Sequence, residues 1–229
     1  VEQPSAPGSK TTAALECLSV TASLVAFSDT QVELSGNSDI AGNVLLLGGS
    51  ELTASGNARV RNAVVASSMR QVQSTGNAIL GDILEADLTV NEPAAMQYIQ
   101  SLRDLPSGSE FSLIAESQAF EGRGAGLNVV QINGDLTLAG QAKLTLHGYT
   151  SDFFVIRVAG SFTISGQASV TLEGGIPARN VLFLIEGARL HLNGQGNIAG
   201  TFVLPRGSAS LTGKGRLTGY VFALGSLRV

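Results

Sequence analysis

Short runs in which apolar and polar residues alternate recur along this chain, and each ends in a glycine. Four and two positions before that glycine stand Val32 and Leu34, Leu136 and Leu138, Phe162 and Ile164, or Leu190 and Leu192, with Glu33, Thr137, Thr163 or His191 between them. Period-two alternation marks a strand with one buried face. The glycines are Gly36, Gly56, Gly76, Gly140, Gly166, Gly194 and Gly213, and four residues after each comes an aliphatic side chain: Ile40, Val60, Leu80, Leu144, Val170, Ile198 and Leu217. The first three glycines are 20 apart, and the last four are separated by 26, 28 and 19. A recurring period of this size predicts stacked coils, each burying its apolar face only against its neighbours. With no Cβ, the glycine can take φ > 0 where two short strands meet, and the Asn or Gln that usually follows can hydrogen-bond to its counterpart on the next coil. The pattern therefore predicts an all-β chain folded as a right-handed parallel β-solenoid. An antiparallel sandwich with turns at regular intervals is the competing reading.

A third strand per coil does not alternate. Val44-Leu45-Leu46-Leu47, Phe153-Phe154-Val155-Ile156, Val181-Leu182-Phe183-Leu184-Ile185, Phe202-Val203-Leu204 and Tyr220-Val221-Phe222-Ala223 are apolar on both faces, so something must cover them. The cover is predicted in the segment from Glu92 to Arg103, where proline occupies a first-turn position and Met96, Ile99 and Leu102 fall three apart. One α-helix packed along a solenoid face follows. The predicted organisation is one structural domain: an arm and first strand (1–23), a block of three coils (24–91), a helix with an irregular insertion (92–128), and a block of four coils (129–229).

Composition narrows the partners. The 229 residues carry a net charge of −4 with only 14% charged residues and no basic cluster, which argues against nucleic acid. The longest apolar runs are strand-sized, so no membrane span is expected. Cys17, the single cysteine, lies in an apolar stretch and reads as a structural thiol. Val1 at the start, followed by a Pro/Ser/Gly-bearing arm, reads as a processed N-terminus and hence a secreted protein.

The second block also carries a resemblance. Phe153 to Gly160, Phe162-Thr163-Ile164-Ser165-Gly166, Leu172-Glu173-Gly174-Gly175, Asn180-Val181-Leu182-Phe183, Gly200-Thr201-Phe202 and Gly219-Tyr220-Val221 resemble the C-terminal half of the ice-binding-protein-like β-solenoids. Their wording is also similar to bacterial choice-of-anchor A type surface proteins. The shared residues are corner glycines and core aliphatics. The resemblance implies a secreted or cell-surface bacterial protein, adhesive or ice-contacting, with no chemistry of its own.

Three classes of function compete. Ice contact needs a flat face of small hydroxyl and methyl groups, and Thr53, Ser55, Thr75, Thr137, Thr163, Ser165, Ser210 and Thr212 are its candidates, interrupted by Glu33, Gln73 and His191. The opposite outward row (Asp39, Arg59, Lys143, Asn197, Arg216) is charged. A polysaccharide-binding or lyase module would need carboxylates or basic residues converging on a groove; Asp82, Glu85 and Asp87 are close in sequence but read as a polar cap. His147 and His191 are the only histidines, so no metal, cofactor or catalytic group is expected. Gly122-Arg123-Gly124-Ala125-Gly126 lacks the strand-to-helix context of a phosphate loop. The main expectation is a non-enzymatic structural or adhesive subunit. The chain stops directly after a coil, predicting an uncapped sheet edge, and Val1, Glu2, Gln3, Pro4, Ser5, Ala6 and Pro7 form a candidate assembly arm. Self-association, or a surface or polysaccharide ligand, is the expected partner.

Overall fold

The structure is a computed structural model that describes residues 22–26, 30–86, 92–124 and 126–223. Its strands pair in parallel throughout and stack as coils around one continuous core, so the protein is a parallel β-solenoid. The proposed arm and Cys17 lie outside the described residues.

Three faces run the length of the rod. The first, face A, begins in chain order with β1 (Ala22–Ala26), β4 (Asn43–Leu46), β7 (Val64–Ala66) and β10 (Ile83–Glu85). It is completed by β11 (Ser109–Phe111), β13 (Leu127–Ile132), β16 (Phe153–Val158), β19 (Val181–Ile185), β21 (Asn197–Leu204) and β23 (Arg216–Ala223). Face B holds the alternating strands: β2 (Gln31–Leu34), β5 (Glu51–Ala54), β8 (Val72–Ser74), β14 (Leu136–Leu138), β17 (Phe162–Gly166), β20 (Arg189–Gly194) and β22 (Ser208–Gly213). Face C is built from β3 (Asp39–Ile40), β6 (Arg59–Val60), β9 (Ile79–Leu80), β12 (Gln118–Glu121), β15 (Lys143–His147), β18 (Ser169–Glu173) and the first halves of β21 and β23.

The order of coils in space differs from their order in the chain. Face A reads β10-β7-β4-β1-β23-β21-β19-β16-β13-β11, so the last strand lies against the first. Leu24 pairs with Val221 and Val32 with Ala209. This corrects the uncapped edge predicted at the last coil: β22 is paired by β20 and β2, and β23 by β21 and β1. Unpaired backbone there has been satisfied by the first coil, which an apolar parallel edge requires. Among the described residues the outermost strands of face A are instead β10 and β11, both internal to the sequence. Residues 109–121, expected to be irregular, supply an outer rung through β11, β12 and a bridge from Ile114 to Leu136.

One glycine column records this order. Gly36, Gly56, Gly76, Gly140, Gly166 and Gly213 have φ between 64° and 90°. The residue after each corner donates its backbone N–H to the glycine carbonyl one coil away: Gln167 to Gly140 (2.6 Å), Gln195 to Gly166 (2.7 Å), Lys214 to Gly194 (2.8 Å), Asn37 to Gly213 (2.7 Å), Asn57 to Gly36 (2.7 Å) and Asn77 to Gly56 (2.8 Å). The column is unbroken where the chain numbering jumps from 213 to 36. Beside it the asparagines form a ladder, with Asn57 Nδ2 donating to Asn37 Oδ1 at 2.9 Å and Asn77 Nδ2 to Asn57 Oδ1 at 3.4 Å.

Inside the rod, Phe162, Phe183 and Phe202 are fully buried, and Phe183 stacks on Phe202 with centroids 4.8 Å apart. Outside face A lies the helix, α1 (Glu92–Arg103). Its Ile99 and Leu102 are buried against Val25, Leu47, Val129, Val155, Leu184, Val203 and Phe222, with Met96 packed alongside. Burying each such side chain is worth about 1.5–3 kcal/mol. The strands that do not alternate are thus buried on both sides beneath α1, as their composition demanded, except at Phe153, which lies beyond the helix's cover and is 50% exposed.

Candidate functional site

With the middle of face A covered by α1, faces B and C are the long open faces of the solenoid. The C-terminal end of α1 is clamped down: Arg103 donates from Nε to Glu186 Oε1 at 2.6 Å and from Nη2 to Oε2 at 2.7 Å, and Arg157 donates to the Arg103 carbonyl.

Face C is charged. Its outward column places Arg216 beside Asp39 and Asp39 beside Arg59, and the Arg61 guanidinium binds Asp39 with both Nε contacts at 2.9 and 3.1 Å. That hydrogen bond, more than the nearby charges of Arg61, Arg59 and Arg216, holds the Asp39 carboxyl below its ordinary range, against the opposing effect of partial burial. Charged groups bind water strongly and in their own geometry, which suits a solvated wall.

Face B brings all eight sequence candidates onto one surface in two columns. The first column runs Thr137, Thr163, His191, Ser210, Glu33, Thr53, Gln73 in register from coil to coil. Thr137 and Thr163 are therefore neighbours, whereas Ser210 and Thr53 are separated from other small hydroxyl residues by His191, Glu33 and Gln73. The second column is more uniform. Ser165 pairs with Asn193 and Asn193 with Thr212. It continues through Ser35, Ser55 and Thr75, whose N–H groups donate to Leu211, Leu34 and Ala54 of the adjoining coils at 3.0, 2.9 and 2.9 Å. Ala139 stands at the same position one coil before Ser165.

Ser35 and Asn193 complete this column, though the candidate set omits them. Their signal was the shared position just before each corner glycine. Thr212 departs from expectation in one respect: its Oγ1 is buried, so that rung offers no hydroxyl to solvent. The result is a column of small neutral residues, one per coil at the ~4.8 Å strand spacing, fixed by backbone pairing from coil to coil. Such a surface can hold an ordered sheet of water without a strongly hydrated ion in its midst. Among the described residues no group of three or more His, Cys, Asp or Glu is placed to hold a metal, and no helix is long and apolar enough to cross a membrane.

Comparison with known proteins identifies the family. A family model described as ice-binding-like matches residues 26–228. Among solved structures, the fold is similar to an ice binding protein from an Antarctic bacterium of the Flavobacteriaceae, at 17% identity and a TM-score of 0.51, covering 100% of this chain and 50% of that one. The chain thus spans half the length of that relative. It is also similar to a domain of an ice-binding protein from Shewanella frigidimarina, at 13% identity and a TM-score of 0.51, covering 90% of this chain and 94% of that one. A search of curated proteins finds no match. The expectation of a structural or adhesive subunit, assembling through its arm and uncapped ends, is corrected by the family match; the edge invoked at the last coil is moreover occupied by the first.

Proposed function

Because this chain belongs to the ice-binding-like family, we propose that it binds ice, and that face B is the contacting surface. The observation that carries the choice of face is the column Ala139, Ser165, Asn193, Thr212, Ser35, Ser55, Thr75, small and uncharged on seven successive coils. Adsorption to a crystal needs a surface that is rigid, repetitive and only weakly hydrated. Rigidity comes from pairing that fixes every rung, repetition from the coil spacing, and weak hydration from the absence of charge in this column. Faces A and C fail on separate grounds, one lying under α1 and the other lined by Arg216, Asp39 and Arg59. The same reading takes the protein as non-catalytic and as acting outside the cell, where ice forms.

The test is thermal hysteresis and ice-crystal shaping with purified protein. Ser165→Tyr and Thr163→Tyr place a ring across adjacent rungs of face B, and both should abolish hysteresis at unchanged melting temperature. Thr171→Tyr, on face C, should leave it intact. Hysteresis surviving both face B changes, or lost with the face C change, would overturn the assignment of the face, and no hysteresis in the parent protein would overturn ice binding itself.

A further inference from the structure

At the β11 end of the rod, where faces A and C meet, the outermost rung leaves a notch of about 510 Å³. This lies within the ~300–1,000 Å³ typical of small-ligand sites. β11 begins only opposite Val130, so among the described residues the start of β13 has no strand paired above it, and the notch opens there beside the edge strand β12. Its floor is apolar, formed by Phe111, Phe120 and Phe154, and its rim is polar. Phe111 and Phe120 pack against each other with ring centroids 5.4 Å apart and planes tilted by 55°, Phe120 belonging to the core.

Three features of the rim define what it would hold. Arg123 lines the notch, and its Nη2 lies 3.8 Å from where a Cβ on Gly108 would stand, so the guanidinium spans the mouth. No carboxylate among the described residues pairs with it. Glu121, the one carboxylate in the lining, is already engaged by His147 Nδ1 at 2.8 Å. Asn128 is held by its own contacts, with Nδ2 donating to the Phe153 carbonyl at 3.2 Å and Oδ1 accepting from the Arg123 N–H at 3.3 Å.

Beside the mouth is an unusual display of large apolar side chains. Leu127 and Phe153 are register neighbours, 45% and 50% exposed, and Tyr149 is 66% exposed with its ring edge at 3.6 Å from the Cβ position of Gly124. Exposed rings next to planar hydrogen-bonding groups match the two sides of a pyranose: C–H faces that lie on aromatic surface, and hydroxyls that bond to fixed polar groups. A free guanidinium adds a preference for a carboxylate, which it binds with two parallel hydrogen bonds.

We propose that this notch binds a uronic acid residue of an acidic polysaccharide, with Arg123 on the carboxylate and the apolar surface of Leu127 and its register neighbour Phe153 along the ring. The notch shares no residue with the two columns of face B and does not depend on ice binding. Saturation-transfer NMR and calorimetry with trimers of galacturonic acid and of galactose, at millimolar concentration, test it. The acidic trimer is expected to bind and the neutral one to bind at least about tenfold more weakly, the worth of a hydrogen bond to a charged group. Arg123→Gln should erase that preference and Phe153→Ser should weaken both sugars, while Arg216→Gln, on face C, should change nothing. Thermal hysteresis should be unaffected in all three variants. No binding of the acidic trimer, equal binding of both trimers, or an equal loss with Arg216→Gln would each overturn the proposal.

Discussion

Replacing two glycines of the corner column with alanine separates backbone strain from close packing. Gly140 and Gly166 have nearly the same conformation, φ +64° and +71°, so an alanine at either pays the left-handed strain of roughly 1–2 kcal/mol. They differ in their surroundings. A Cβ on Gly140 meets nothing within 4 Å, whereas one on Gly166 would lie 2.8 Å from the Gly140 carbonyl oxygen and 3.1 Å from its Cα and N. Those atoms are backbone in a paired sheet and cannot swing aside, so the clash adds an overpacking cost of about 1–3 kcal/mol. At this chain length 1 kcal/mol corresponds to roughly 2–4 °C in melting temperature. Calorimetry should therefore show Gly140→Ala lowering Tm by about 2–8 °C, and Gly166→Ala by several degrees more. Gly36→Ala should behave like Gly166→Ala, since its Cβ would stand 2.9 Å from the Gly213 nitrogen across the junction of the two blocks. Equal losses at 140 and 166 would refute the packing argument, and a mild Gly36→Ala would refute the junction.

Other expectations follow from the faces. Ile99→Ala, on the buried side of α1 and 1% exposed, should cost about 2–5 kcal/mol in urea unfolding, and a loss under 1 kcal/mol would mean the helix contributes little. Because the Asp39 pKa is depressed in the folded protein, its contribution is present above the unfolded carboxyl value of about 3.9 and disappears as pH falls through the folded value. The Tm gap between parent and Asp39→Asn should thus be open at pH 6 and closed near pH 2; a gap independent of pH would refute the pairing. Glu33→Thr combined with Gln73→Thr removes two of the interruptions in the first column of face B and should raise thermal hysteresis, whereas unchanged activity would show that the second column alone contacts ice.

Much of this architecture was legible in the residues. Alternation around Leu34, Leu138 and Leu192 placed the one-sided strands, and the double-sided runs at Val181 to Ile185 called for the cover that Ile99 and Leu102 provide. Unequal glycine spacing also has a simple origin. The 26- and 28-residue coils carry extra residues at the corner between faces C and A, after His147 and after Glu173, while the 19-residue coil runs through that corner as the single bent strand β21, with Gly200 at φ 137°. The order of coils was not legible. Parallel pairing of Leu24 with Val221 involves aliphatic residues that would pair equally well with any other coil, and nothing local marks the partner. Face B was only partly legible, because small residues such as Ser35 gain meaning from the neighbours that stacking gives them. The notch was not legible at all, since it arises from where β11 starts rather than from any motif.

The junction between β1 and β23 also constrains how the molecule is made. A chain leaving the ribosome presents its N-terminal part first, so β1, β4 and β7 can stack while β1 still has one bare edge and the outer side of face A is uncovered. That edge stays open through synthesis of nearly 200 further residues, because Leu24 waits for Val221. Contacts of such separation are slow to form. An ordinary solenoid can zip from one end as it emerges; here the coil of β22 and β23, made long after the β1 it pairs with, is the keystone, and the early half remains an adhesive template until it arrives.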